Sequence, residues 1–135
     1  MTTEKLAIRS LLTSDSIYLT LLGNPGSLPY NTFYMYPTQT PSFPYVVFRL
    51  RPAEITASTG REILSKKYEL IFDIFSQDGV YETIAARIIY LLHQIGNSNG
   101  YRTIFVGETN EEYSQELNAY SIQIKFDLFS RKEII

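Results

Sequence analysis

A chain of 135 residues has the length of a single domain, expected to span residues 1–135 around one hydrophobic core. With 44% hydrophobic and 19% charged residues it has the apolar content to fold, and a formal net charge of −2 without a run of Lys or Arg speaks against a phosphate-binding footprint. There is no cysteine, hence no disulfide, thiolate metal site or cysteine nucleophile, and no secretory leader or apolar run of bilayer length, so the expectation is a soluble protein that engages no membrane.

The chain opens with two short helical patterns. Thr3 is placed to cap the first, in which Leu6, Ile8, Leu11 and Leu12 form an apolar stripe; Ser14 or Asp15 is placed to cap the second, which carries Ile17, Leu21 and Leu22. Gly23-Asn24-Pro25-Gly26 ends the helical pattern, because glycine admits left-handed backbone and proline withholds a helical hydrogen bond. Phe33 to Tyr36 then reads as a short strand, and Pro37, Pro41 and Pro44 keep the following segment extended.

From Tyr45 to Thr56 and again from Glu62 to Phe75 the composition favours strand, with Ser58-Thr59-Gly60 as the reversal between them. The pair predicts a long hairpin. In its second arm Tyr68, Leu70, Phe72 and Ile74 alternate with Lys67, Glu69, Ile71 and Asp73, which assigns the first set to the core. Toward the tip, Arg51, Glu54, Arg61, Glu62, Lys66 and Lys67 have little apolar company and are the candidate subunit or partner interface.

Asp78 or Ser76 is placed to cap the strongest helix, whose Ile84, Ile88, Leu91, Leu92 and Ile95 make one buried stripe, with Gly96 as its stop. After the turn Asn97-Ser98-Asn99-Gly100, Thr103 to Val106 reads as a strand and Glu108 to Glu116 as an acidic loop. The closing strand is the clearest, since Tyr120, Ile122, Ile124, Phe126 and Leu128 alternate with polar neighbours. The expected fold is α+β: an antiparallel sheet of about four main strands with a long β-hairpin, covered on one face by α-helices.

Chemistry has little to build on. His93 is the one histidine and suits a helix end near the surface, where a cation complements the dipole. Glu108, Glu111, Glu112 and Glu116 lack the fixed separation that paired acid and base roles require, and neither glycine signature for nucleotide phosphates occurs. The eleven Tyr and eight Phe fit strand packing and surfaces buried on assembly. The expectation is a protein that binds other proteins, without catalytic residues, cofactor or metal.

The order of segments also carries a resemblance: Leu11-Leu12-Thr13-Ser14-Asp15, a leucine-bearing helix ending at Gly23, Tyr34-Met35-Tyr36-Pro37, Phe43-Pro44-Tyr45-Val46-Val47-Phe48, Tyr68 to Phe75, the helix around Ile84 to Ile95, and the strand Tyr120 to Phe129. Over nearly its whole length the chain resembles the tail-terminator and tail-completion (head–tail joining) proteins of long-tailed bacteriophages. It departs from them in the longer prolyl connection from Pro37 to Pro44 and in the segment between Gly23 and Phe33.

The resemblance implies a virion protein of the tail–neck junction, made in the bacterial host cytoplasm, whose copies close into a six-fold ring. Its implied partners are itself, the tail-tube protein and the head-completion or connector protein, without sequence-specific nucleic-acid binding. A head-closure or neck role on the portal side is the alternative, and a small-molecule binder or enzyme ranks below both.

Overall fold

The computed structural model describes residues 2–23, 31–37, 42–59, 62–95, 101–109, 111–116 and 118–131, with side chains placed for these except at 2–4, 53–59, 62–66, 94–95, 101–102 and 130–131. The elements in order are α1 (Thr2–Thr13), α2 (Ser16–Leu21), β1 (Thr32–Tyr34), β2 (Tyr45–Thr59), β3 (Glu62–Ser76), α3 (Val80–Ile95), β4 (Tyr101–Glu108), β5 (Glu112–Ser114) and β6 (Ala119–Arg131). The α+β class and the long β2–β3 hairpin agree with expectation, but the sheet has six strands in place of about four. The two beyond the main four are β1, expected as the short strand Phe33 to Tyr36, and β5, which falls in the expected acidic loop; at three residues each, β5 in particular is too short for a period of two to declare itself.

Strand order is β1-β2-β3-β6-β4, with β5 also on β6. All neighbours run antiparallel except β1 and β2, which are parallel; the sheet is therefore mixed at one edge. β6 returns between β3 and β4, so the two best-patterned strands lie side by side, Leu70 opposite Phe126 and Phe72 opposite Ile124.

One face buries the main core. Val46, Phe48 and Leu50 of β2, Tyr68 to Ile74 in alternation from β3, and Ile122 to Leu128 in alternation from β6 meet Ile8, Leu12, Tyr18, Leu22, Ile84, Ile88 and Leu92 from the helices. Phe72 is fully buried, with its ring centroid 5.8 Å from that of Phe48 and 5.8 Å from that of Phe126. The helical stripes are narrower than the sequence suggests: Leu6 and Ile17 are both 52% exposed, and Tyr18, whose large ring reaches the core, is the buried residue of α2.

Helix ends follow local chemistry. Asp15 caps α2 by accepting the Tyr18 amide at 2.8 Å, and Asp78 accepts the Val80 amide at 3.0 Å at the start of α3. Ser76 instead donates its hydroxyl to the Asp78 carbonyl at 2.6 Å. Helix α1 begins at Thr2, so Thr3 lies in its first turn and does not cap it. The expected stop at Gly96 and the turn after it lie outside the described residues, as does Gly60.

Three further boundaries moved. Strand β1 ends at Tyr34 because Met35 turns to φ 71, a left-handed conformation that interrupts pairing. Strand β4 is twice the expected length, eight residues. The acidic segment is not all loop: Glu112–Ser114 pairs with β6 in a hairpin whose Asn118 sits at φ 52, a conformation asparagine tolerates well.

Candidate interaction surfaces

The sheet face away from the helices is patterned in two zones. Around β1 it is apolar: Phe33, Tyr45 and Val47 are buried, with Phe43 and Phe75 packed against them. Burial holds the Tyr45 hydroxyl above the ordinary tyrosine range. This second cluster was not legible as core in sequence, because its members occupy the positions alternate to the main core.

Toward the hairpin the same face carries charge. Arg51 stands directly opposite Glu69 across β2 and β3, and their side chains form an ion pair. The bond from Arg51 holds the Glu69 carboxyl below its usual range, with Lys125 and Arg49 adding to the effect. Lys67 reaches Asp127 diagonally at 3.7 Å, and Gln123 donates to Asp73 across the β3–β6 pair at 3.0 Å. These cross-strand pairs set register and are worth a few tenths of a kcal/mol to about 1 kcal/mol each.

Of the candidate interface residues, the structure thus brings Arg51 and Lys67 onto one face at the base of the hairpin. Glu54 pairs in register with Lys67, and Glu62 and Lys66 lie on β3, but the side chains of these three and the whole of Arg61 fall outside the described residues.

The two edges of the sheet are unlike. Strand β4 exposes Ile104, Phe105 and Val106, at 41%, 43% and 58%. Beside it, between β4 and α3, Ala86, Ile89, Tyr90, His93, Thr103, Phe105 and Phe126 line a shallow, mainly apolar groove. His93 is exposed there, at the helix end where sequence placed it. Glu108, Glu111, Glu112 and Glu116 are exposed at the far end of the same edge. At the opposite edge, Lys5 lies over the Tyr34 ring at 4.6 Å, Arg9 donates to the Thr32 carbonyl at 2.6 Å, and Arg49 is exposed on β2.

Among the described residues no three His, Cys, Asp or Glu side chains gather as a metal-binding group, and no helix is long and apolar enough to cross a membrane. The described residues present a charged face at the base of the hairpin, a basic edge, and an apolar edge with an acidic end.

No protein-family model and no curated protein matches this chain. Among solved structures, a chain from the virion of a native gene transfer agent (GTA) particle shares the fold, with a TM-score of 0.68 over 93% of this chain and 92% of that one at 14% sequence identity.

Proposed function

We propose that this chain is a virion structural protein that acts by binding other proteins, and that within the virion it terminates the tail tube or joins the tail to the head connector. The observation that carries the reading is the near-complete match in fold to a chain of a gene transfer agent virion. The segment order resembling tail-terminator and tail-completion proteins adds the finer assignment.

In this reading the copies form a six-fold ring that meets the tail-tube protein on one side and the head-completion or connector protein on the other. Closing a ring takes a heterologous contact, in which two different patches of one subunit fit when repeated by rotation. A sheet with an acidic, apolar edge and a basic edge offers two such patches. The hairpin residues Arg51, Glu54, Arg61, Glu62, Lys66 and Lys67 are assigned to subunit or partner contacts, where charge sets orientation and excludes wrong partners.

Electron microscopy of particles made without the protein tests this. Overlong tails, or tails not joined to heads, are the expected result; particles of normal length, joined and infectious, would refute it.

A further inference from the structure

Among the described residues, the outer edges of β2 and β4 match each other in direction, height and hydrogen-bonding phase. Strand β1 covers β2 only at Val46, Val47 and Phe48; beyond Phe48 no strand pairs with the outer side of β2 among the described residues, and the Leu50 carbonyl there takes only a long contact, 3.5 Å, from the Tyr34 hydroxyl. Following the registers across the sheet, Leu50 lies level with Leu70, Phe126 and Phe105, and Arg51 level with Glu69, Asp127 and Ile104. The uncovered part of β2 and the exposed part of β4 therefore stand at the same height on opposite edges.

Direction agrees as well. Since β2–β3, β3–β6 and β6–β4 are each antiparallel, β4 runs opposite to β2, and a second copy set beside the first in the same orientation would bring its β2 antiparallel to the first copy's β4.

The phase agrees too. Val46 donates outward to Asn31 and Phe48 accepts outward from Met35, each at 2.9 Å, so the even-numbered residues here turn their amide and carbonyl to the outer edge. Alternation of bonded and non-bonded pairs, carried from Leu50 through Leu70 and Phe126, turns the main-chain groups of Phe105 outward on β4. Leu50 of one copy and Phe105 of the next are then a hydrogen-bonding pair, the Phe105 amide taking the place of the Tyr34 hydroxyl on the Leu50 carbonyl, and Arg51 and Ile104 a non-hydrogen-bonded pair with facing side chains.

Charge fits the same alignment. The exposed Glu108 at the end of β4 and, beyond it, Glu111 and Glu112 where β5 begins come level with the neighbour's β1 edge, where Lys5, Arg9 and Arg49 lie. Pro52, level with Thr103, has no amide to donate, so at this pair only the Thr103 amide of the next copy can bond, to the Pro52 carbonyl. Strand β4 shows apolar side chains on an edge that no strand pairs with among the described residues, a surface that proteins ordinarily cover.

We propose that the partner of the β4 edge is a second copy of this chain, whose β2 pairs with it from Leu50 onward in antiparallel register, so that one sheet continues from subunit to subunit. This rests on the ring-forming reading above and names the surfaces that would close the ring.

The absence of cysteine allows a direct test. A double variant with Ile104→Cys and Arg51→Cys places the two thiols in a facing pair at a separation a disulfide spans. Mild oxidation of the concentrated protein should give a ladder of covalent oligomers from dimer upward, because trapping accumulates even brief contacts. A control with Ile17→Cys and Arg51→Cys, both at exposed positions, should give no ladder above the background of random dimers. A double variant that behaves like the control overturns the proposal. Sedimentation of the unmodified protein separates the causes: self-association without the ladder leaves the ring reading standing and rejects these edges, whereas a protein that neither associates nor cross-links loses both.

Discussion

Arg87 of α3 grips both carboxylate oxygens of Asp15, its Nε donating to Oδ2 at 2.9 Å and its Nη2 to Oδ1 at 2.7 Å. The same Oδ2 accepts the Tyr18 amide that opens α2, so one carboxylate both caps a short helix and fastens it to the longest one. The pair is largely covered, with side-chain exposures of 22% and 16%. A helix of six residues is too short to persist unaided, and this junction supplies its anchor together with the burial of Tyr18.

Replacing Asp15 by Ala should lower stability by about 1–2 kcal/mol, the range for losing an N-cap, measured by urea denaturation. Acid dependence follows from the Arg87 bond, which holds the Asp15 carboxyl below its ordinary value of 3.8. A carboxyl depressed on folding contributes stability that is complete above the unfolded value and is lost as pH falls through the folded one. The stability gap between the wild type and Arg87→Ala should therefore be constant near neutrality and narrow below about pH 4; a gap that does not change with pH would show that the pair contributes nothing specific.

Phe72→Ala should destabilise by about 3–5 kcal/mol, since the ring is fully buried between Phe48 and Phe126. Ile17→Ala should change stability by less than about 0.5 kcal/mol, because half of that side chain is in solvent. Thermal or chemical melts of the two variants distinguish a true core position from one that only its spacing suggests.

Tyr18→Phe removes a buried hydrogen bond of 2.8 Å between the Tyr18 and Thr32 hydroxyls, which ties α2 to β1. Burial raises the Tyr18 hydroxyl far above the ordinary tyrosine range, so it stays neutral through mild alkali. A loss of about 1 kcal/mol is expected, read as a shift of the denaturation midpoint with unchanged slope.

Reversing charge at Arg61 and Lys66 together should weaken self-association far more than it lowers the melting temperature, whereas Arg51→Glu, which sets two carboxylates directly opposite each other within one subunit at Glu69, should lower the melting temperature as well. Light scattering against thermal melts gives the comparison. Equal losses in both for the Arg61 and Lys66 reversal would assign these two residues to folding and remove them from the interface.

How much of this was legible in sequence depended on period and length. Tyr68 to Ile74 and Tyr120 to Leu128 announced the core face because each alternates over several pairs against polar neighbours, and α3 did so because its stripe is long. β1 was legible as a short strand from Phe33, but its parallel pairing was not, since that depends on where a distant segment docks, and β5 could not be read at three residues. Ile71 was assigned to the outer face and indeed lies there, yet is 3% exposed: Arg49 and Lys125 stand directly opposite on either side, and side chains of that length can cover a central position. The exposure of Ile104, Phe105 and Val106 was likewise hidden, since a strand pattern does not say which strand is outermost. The charged hairpin was visible as a candidate surface, but the complementarity of the two sheet edges emerges only once the registers connect Leu50 to Phe105.

The most direct test of the proposed role is the position of the protein in intact virions, determined by cryo-electron microscopy. The account predicts a single six-fold ring of this chain at the head-proximal end of the tail tube, with the β4 edge of each copy against β2 of the next. Its absence from the particle, or its presence only on the portal side without contact to the tail tube, would contradict it.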